Sequence, residues 1–320
     1  MHFSDAVDGF LSGYFSTCRR SSKTEAAYRI DLAQLQTYVT KDQELQSVTA
    51  ESLESWAAEL RANRYKSASI RRKFATARVF FGYWVRKGAV DQSPLWRIRL
   101  DLERERILPR SLPAADAKLL IEQLWRGVDP CEGTILDSGD PRFLSLRNLA
   151  ATEILFATAM RVGELVSLKL ADWRDDEASL LVNGKGSRQR LAFLPDERSL
   201  RAVRIYVGHR VKMSLSHDGL LINACGHRIS TQGIARVITH SAKQAGIVPR
   251  VTPHMIRHTV ATLLLRFGTD IRIVQEVLGH ASIATTQRYT HVCKEHMLSA
   301  LRARHPSHHL NINIVECRAS

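Results

Sequence analysis

The sequence has 320 residues, enough for about two domains of ~150 residues each, and its 44% hydrophobic and 24% charged residues are ordinary for a globular protein. No apolar run reaches the ~18–20 residues of a membrane span, the first residues are acidic where a signal peptide is basic, and the five scattered cysteines have no zinc spacing, so we expect a cytoplasmic protein with free thiols. The excess of 46 Lys and Arg over 32 Asp and Glu, a net charge of +14, predicts a polyanionic partner, most often nucleic acid; a basic surface that only confers solubility is the alternative.

The first hundred residues have the pattern of a small helical domain. Apolar residues at helical spacing predict a helix with Ser22 as its N-cap, a second helix after Thr49 and a third from Ser67 to about Lys87, which Gly88 ends. The third helix is apolar on one side and basic on the other, and its basic side carries Arg71, Arg72, Lys73 and Arg78. Residues 61–90 contain nine basic and no acidic residues, whereas residues 1–60 contain five basic and nine acidic residues. We therefore predict that these four side chains face a DNA backbone.

The middle of the chain contains two segments with little hydrophobic periodicity. The first, Asp91 to Pro113, holds charged runs and two prolines and is predicted to be an interdomain linker, with a second domain beginning near Leu112. The second, residues 127–141, is rich in Gly, Pro and Asp and is predicted to be a surface loop.

The second domain combines helices with one hairpin. Residues 145–160 are rich in apolar residues and predict a buried helix. Residues 179–195 contain two short apolar runs around Asn183-Gly184, which predicts a β-hairpin. From Asp196 onward the pattern is helical again.

Several polar residues in this domain need a joint explanation, although each has an ordinary structural interpretation when taken alone. They are Arg161 after the buried helix, Lys185 in the hairpin, His254 and Arg257 in a helix that Thr252 caps, His280 in a Leu-Gly-His motif, and Tyr289 nine residues later.

Two alternative sites fail on their residues. Asn-Gly-Lys-Gly around Lys185 departs from a phosphate-binding Walker loop, because Ser179 occupies the first glycine position and Gly186 follows the lysine. His254 and His258 have metal-ligand spacing, but Met255 replaces the glutamate of H-E-x-x-H, and the neighbouring arginine repels a cation.

The order of these motifs resembles the tyrosine recombinase (phage integrase) family. It runs R-x-x-E-L, G-K-G in a hairpin, H-x-x-R-H, L-G-H and a tyrosine nine residues on, from Arg161 to Tyr289. Residues 67–88 are similar to that family's core-binding domain, and the likeness extends from about Ser22 to His291. Its domain size looks more like that of simple Xer-type and mobile-element recombinases than that of phage integrases with an arm-binding domain.

The resemblance implies a mainly α fold with a small β-sheet. A helical core-binding domain is expected over residues 1–108, a mixed α/β catalytic domain over residues 109–303 and a C-terminal tail over residues 304–320.

The resemblance also implies the chemistry. Tyr289 would attack the phosphorus of DNA and form a 3′-phosphotyrosine bond, while Arg161 and Arg257 bind the phosphate, which suits guanidinium because it stays charged and binds phosphate in a bidentate manner. No cofactor such as ATP is implied, because the covalent bond conserves the energy of the broken one. No divalent metal is implied either, because the two arginines stabilise the charge on the phosphate.

The remaining candidate residues would handle protons and support the arginines. Lys185 would protonate the leaving 5′-oxygen, His254 would be a general acid or base, and His280 would donate a hydrogen bond to the phosphate. Glu164, which could also be an ordinary helix-start acid, would support the arginine or histidine positions.

The implied partner is double-stranded DNA with inverted-repeat core sites, bound by a homotetramer on two paired sites, for integration, excision or resolution of DNA elements; no membrane is implied. Two alternatives stay open: a type IB topoisomerase-like enzyme that relaxes DNA, and a DNA-binding regulator on the same scaffold.

A few residues depart from the family pattern without removing a catalytic group. Ala159 stands where relatives commonly have glycine, Ile256 replaces the commoner leucine, and the loop at 127–141 looks long. The tail alternates apolar and polar residues over 310–314, which predicts a short strand or a frayed terminus.

Overall fold

The protein is described by a computed structural model. The described residues are 1–18, 22–40, 43–102, 111–128, 136–184, 189–248, 250–279, 301–303 and 305–306. They form a mainly helical fold with a small sheet, as predicted, and the chain divides into two compact units, Met1–Ile107 and Leu108–Ser320. None of the helices within these ranges has the length and apolar character to cross a bilayer.

The first unit contains four α-helices in its described residues, together with a short 3-10 helix at Leu45–Ser47: α1 (Phe3–Thr17), α2 (Ser22–Val39), α3 (Ala50–Ala62) and α4 (Ser67–Arg86). The sequence predicts α2, α3 and α4, but α1 was missed. It forms because residues at helical spacing, including Phe3, Phe10 and Tyr14, are buried against the rest of the unit, and Phe10 lies edge-on to Phe80 of α4 at 5.4 Å.

The ends of these helices follow their capping residues. Thr49 accepts a hydrogen bond from the Ser52 backbone N–H and starts α3, as predicted. Gly88 has φ +71° directly after α4, a left-handed conformation that glycine adopts readily, so it ends the helix. Ser22, predicted as an N-cap, is instead the first residue of α2.

The predicted linker begins later than the sequence indicates. Leu95 and Ile98 are buried in the core of the first unit, and Arg78 donates a hydrogen bond to the Ile98 carbonyl at 3.4 Å. The prediction that residues 91–98 are a spacer is therefore wrong, because two apolar residues among charged ones are enough to anchor the segment.

The second unit is built around one buried helix, α6 (Pro141–Thr158). Its described elements are α5 (Ala114–Arg126), α6 (Pro141–Thr158), α7 (Val162–Ser167), β1 (Trp173–Arg174), β2 (Ser179–Asn183), β3 (Gln189–Phe193), α8 (Glu197–Arg210), α9 (Thr231–Gln244), α10 (Pro253–Arg266) and α11 (Ile271–Leu278). The strands form an antiparallel sheet in the order β1-β2-β3, which confirms the hairpin; α5 and β1 were missed.

Helix α6 is the predicted buried helix, and it determines where the next residues lie. It begins earlier than predicted, at Pro141, because the Asp140 carboxylate accepts from the Arg142 N–H and caps it. It ends at Ala159, whose φ of +49° turns the chain into α7. A left-handed residue without Cβ is free of strain, so glycine would fit this position better than alanine.

Candidate active site

Four elements of the second unit converge on one small region. Arg161 is the N-cap residue of α7, Glu164 lies one turn into α7, Arg190 is on β3, and Arg257 is on α10. Glu164 bonds Arg161 and Arg190 directly. Arg161 and Arg257 bond the backbone where α11 ends at Leu278 and Gly279 follows.

Glu164 is the centre of this region. Its Oε1 accepts from the Arg161 Nη1 at 2.8 Å, and its Oε2 accepts from both the Arg161 backbone N–H and the Arg190 Nη2 at 2.9 Å. Burial by itself raises the pKa of the Glu164 carboxyl, but the hydrogen bonds from Arg190 and Arg161 outweigh it and hold the pKa below its ordinary value. Glu164 is therefore an ionised carboxylate shared by two arginines.

Arg161 and Arg257 bind neighbouring carbonyl groups where α11 ends. Arg161 donates from Nη1 and Nη2 to the Gly279 carbonyl at 3.3 Å, and Arg257 donates to the Leu278 carbonyl at 2.7 Å and to the Ala159 carbonyl at 2.8 Å. Carbonyls in the last turn of a helix have no partner within the helix and carry partial negative charge, so they attract guanidinium groups. The two arginines are thus held beside the residue that precedes His280.

The region carries more positive than negative charge. Burial lowers the pKa of Arg257 to about 10, repulsion from Arg161 and Arg190 adds to this, and only Glu164 acts in the opposite direction. Arg257 remains protonated at neutral pH, but its charge is held at a cost in free energy. An anion bound here would reduce that cost, so the arrangement is suited to a phosphate group.

The other predicted site residues are placed less completely. His254 is exposed in the first turn of α10, three residues before Arg257 and therefore on a neighbouring part of the helix surface. Thr252 caps this helix as predicted, by accepting from the Met255 N–H at 3.3 Å. Lys185, His280 and Tyr289, like the predicted strand at 310–314 and residues 129–135 of the loop, lie outside the described residues. Within the described part of the chain, no three His, Cys, Asp or Glu are grouped as metal ligands.

Tyr206 is a tyrosine of the second unit that the structure excludes as a nucleophile. It is fully buried, its hydroxyl donates to the Leu220 carbonyl at 2.9 Å, and burial raises its pKa well above the ordinary value. A phenol that is neither accessible nor ionisable cannot attack DNA.

The four basic residues predicted to face DNA do not share one environment. Arg72 is 48% exposed, although it donates to the buried carboxylate of Asp31 at 2.6 Å. Lys73 is only 2% exposed; its ammonium group lies 3.1 Å from Asp31 and also contacts Gln34. The placement of Lys73 on the DNA-facing side is therefore corrected: a buried charge must be paired, and Asp31 pairs it inside the domain.

Arg190 is a residue of the site that the sequence analysis missed, and Asp31 is a structural ion-pair partner whose role the sequence analysis did not predict. The position of Arg190 in the hairpin could have indicated its role. It lies opposite Val182 and two residues before Ala192 on the same strand, and both of these residues are buried. Side chains that are directly opposite, or two residues apart on one strand, share a face of the sheet, so an arginine there points inward and needs a partner. Asp31 carries no such signal, since its partners lie about 40 residues away.

Comparison with known proteins identifies the family. Residues 133–296 match the model of the phage integrase family, and residues 7–88 match the model of the phage integrase N-terminal SAM-like domain. The chain is 30% identical over 307 residues to the tyrosine recombinase XerC of Listeria innocua, covering 93% of this chain and 96% of that protein. It is 33% identical over 292 residues to the tyrosine recombinase XerD of Halalkalibacterium halodurans, covering 89% of this chain and 92% of that protein.

Solved structures share the fold. The XerH site-specific recombinase bound to its palindromic difH substrate in a post-cleavage complex has a TM-score of 0.68 at 21% identity, over 93% of this chain and 83% of that one. A lambda integrase tetramer bound to a Holliday junction has a TM-score of 0.65 at 18% identity, over 90% of this chain and 80% of that one. With these sequence matches along most of its length, the chain belongs to the phage integrase family of tyrosine recombinases.

Proposed function

We propose that this protein is a site-specific recombinase that cuts and rejoins double-stranded DNA through a 3′-phosphotyrosine bond to Tyr289. The observation that supports it most directly is the pairing of Arg161 and Arg257 on consecutive carbonyls at the end of α11, immediately before His280. This puts two fixed positive charges next to the chain segment that leads, ten residues after Gly279, to the tyrosine.

The proposed reaction is a transesterification. The Tyr289 hydroxyl oxygen bonds to the phosphorus, and the bond from phosphorus to the 5′-oxygen breaks. Negative charge accumulates on the non-bridging oxygens in the transition state, so Arg161 and Arg257 stabilise that state more than the ground state. Attack on the phosphotyrosine by a 5′-hydroxyl of another strand reverses these steps and completes strand exchange.

Three further residues are proposed to transfer protons or to donate a hydrogen bond. His254 takes the proton of the tyrosine, Lys185 gives a proton to the departing 5′-oxygen, and His280 donates a hydrogen bond to the phosphate. The exposure of His254, one helical turn before Arg257, is consistent with a role at a site that DNA reaches from solvent.

The proposed partner is DNA with inverted-repeat core sites, bound by four copies of the chain on two sites in the cytoplasm. The relatives described above include a recombinase bound to a palindromic substrate and a tetramer on a Holliday junction. The net charge of +14 supports binding to a polyanion. The DNA element on which the protein acts, by integration, excision or resolution, would be identified from its target sequence.

The experiment uses a pool of duplex oligonucleotides with randomised sequence, each with a nick that traps the cleaved state. Protein is mixed with the pool and denatured with detergent, and DNA that stays covalently attached is sequenced. We expect attached DNA that converges on an inverted repeat, and none from Tyr289→Phe, which keeps the ring and loses only the nucleophilic oxygen. Tyr206→Phe is the matched control, and its adducts should persist.

Two outcomes would favour the alternative functions. Adducts of unrelated sequence, together with relaxation of a plasmid lacking paired sites, would indicate a type IB topoisomerase-like enzyme. Selective DNA binding without any adduct would indicate a DNA-binding regulator.

The role of Lys185 needs its own substrate. In a duplex with sulfur at the bridging 5′ position, the leaving thiol has a pKa of roughly 8.5 and needs little protonation. Lys185→Ala should lose roughly 10²–10⁴-fold in cleavage of normal DNA and recover most of it on this duplex, whereas Arg257→Ala should not recover. Equal losses of Lys185→Ala on both duplexes would remove the general-acid role.

A further inference from the structure

We propose that Arg190 is a positioning residue of the active site: from the β2–β3 hairpin it holds Glu164 and Gly279, and thereby sets the place and the free charge of Arg161. This inference rests on the proposed function, since it concerns the same site, and it adds a residue outside the six proposed catalytic groups.

The first contact is with Glu164. Arg190 donates from Nη2 to the Glu164 Oε2 at 2.9 Å, the same oxygen that accepts from the Arg161 backbone N–H, while the other oxygen accepts from the Arg161 guanidinium. Glu164 therefore has two cationic partners. With Arg161 alone, the carboxylate would neutralise the guanidinium that is proposed to bind phosphate; with Arg190 present, the three groups together keep a positive charge.

The second contact is with Gly279. A Cβ on this residue would lie 3.0 Å from the Arg190 Nε, 3.1 Å from Cζ and 3.2 Å from Nη1, so the guanidinium packs directly against the glycine. The φ of +58° at Gly279 further restricts the position to glycine. The carbonyl of the same residue accepts from Arg161, so Arg190 and Arg161 hold the turn before His280 from two sides.

The burial of Arg190 supports a specific role. Its side chain is 14% exposed, and its Nε has no hydrogen-bond partner although it is buried. Leaving a buried N–H unpaired is costly, and Arg190 bears this cost while its Nη2 bonds Glu164 and its guanidinium packs against Gly279. Arg190 also adds to the repulsion that lowers the pKa of Arg257, so it takes part in the charge of the whole site.

The position of Arg190 in the hairpin gives the contact a further consequence. Arg190 pairs with Val182 in the β2–β3 ladder, and Lys185 lies in the five residues that connect these strands. Through its contact with Glu164, Arg190 connects the hairpin that carries the proposed general acid to Arg161, which is proposed to bind the phosphate.

The test compares four variants on a single duplex selected from the randomised pool. Arg190→Ala, Arg190→Lys, Glu164→Gln and the double variant Glu164→Gln/Arg190→Ala are measured for DNA affinity, melting temperature and the rate of adduct formation at saturating protein. Arg198→Ala is the matched control. Arg198, on α8 of the same unit, is an arginine of similar exposure, 10%, and it pairs with a buried glutamate, Glu153, at 3.0 Å rather than with Glu164.

We expect Arg190→Ala to slow adduct formation on the order of 10²-fold, as a displacement of about 1 Å does, with affinity changed less than about threefold. Arg190→Lys should recover about a tenth of the wild-type rate, because it restores a charge next to Glu164 but not the flat group against Gly279. Arg198→Ala should lower the melting temperature and leave the rate per folded protein unchanged. In the double variant the loss should be about tenfold smaller than the product of the two single losses, because both changes remove the same Glu164–Arg190 contact.

Other results would overturn the inference. Losses that multiply in the double variant would make Arg190 an independent contact to DNA. A wild-type rate in Arg190→Ala, or in Arg190→Lys if the alanine variant does not fold, would make it a structural residue only. Either result with normal wild-type adducts overturns this inference alone, whereas the absence of wild-type adducts overturns the proposed function and this role with it.

Discussion

Replacing Gly279 by alanine tests the geometry of the site through one methyl group. The residue has φ +58°, and a left-handed residue with a Cβ costs roughly 1–2 kcal/mol. The new Cβ would lie 3.0–3.2 Å from the Arg190 guanidinium, closer than ordinary contact, so the guanidinium must move by a few tenths of an ångström. The substitution therefore combines backbone strain with a displaced arginine.

Gly268→Ala separates these two effects. Gly268 has φ +79°, and a Cβ there would meet no atom within 4 Å. Both variants should lose about 1–2 kcal/mol of stability, and at about 2–4 °C per kcal/mol for a domain of this size their melting temperatures should fall by about 2–8 °C. Circular dichroism during heating measures this directly.

Only Gly279→Ala should slow the reaction. If a 1 Å displacement costs about 10²-fold, a few tenths of an ångström correspond to roughly three- to tenfold in the rate of adduct formation. The rate is measured at saturating protein on the selected nicked duplex, below both melting temperatures. Equal slowing of both glycine variants, or no slowing of either, would refute the contact between Gly279 and Arg190 as a determinant of activity.

Three further predictions concern charge. The pKa of Glu164 is lower in the folded than in the unfolded state, so the ionised carboxylate stabilises the fold above the unfolded-state pKa. This stabilisation disappears as the pH falls through the folded-state pKa. In Glu164→Gln, the melting temperature should therefore depend less on pH in the acidic range than it does in the wild type. Asp31→Asn leaves buried Lys73 without its charged partner and should lower the free energy of unfolding, measured in urea, by about 3–5 kcal/mol. Glu25→Gln breaks an exposed ion pair and should lower it by at most about 0.5 kcal/mol. Equal losses would contradict the buried pairing. Replacing Arg71 and Arg72 together by alanine should flatten the logarithmic salt dependence of DNA affinity by about 1.8, or 0.9 per lost phosphate contact, and an unchanged slope in filter binding would assign the acid-free segment another role.

The helices and the hairpin were predictable where a local pattern is strong. Two short apolar runs around Asn183-Gly184 predict a hairpin, and the apolar-rich segment 145–160 predicts a buried helix. Thr49 and Thr252 are caps that bond a backbone N–H three residues along the chain. Helix α1 was missed because its acidic and glycine residues obscure the apolar stripe that packs inward.

The site was predictable only in part. The motif order predicts Arg161, Glu164 and Arg257, and the structure brings these three together. Lys73 was misplaced because a run of three basic residues on a helix looks uniform in sequence, whereas only the packing of α2 on α4 reveals that Asp31 faces the third of them.

What the sequence by itself determined is the family, the helical and hairpin elements and the predicted chemistry, since these depend on residue types and spacing along the chain. What only the tertiary structure decided is which charges compensate each other. Arg190 and Glu164 are 26 residues apart, and Arg161 and Gly279 are 118 residues apart. The free energy of a charge depends on burial and on its neighbours in space, and neither is written in the local pattern of the chain.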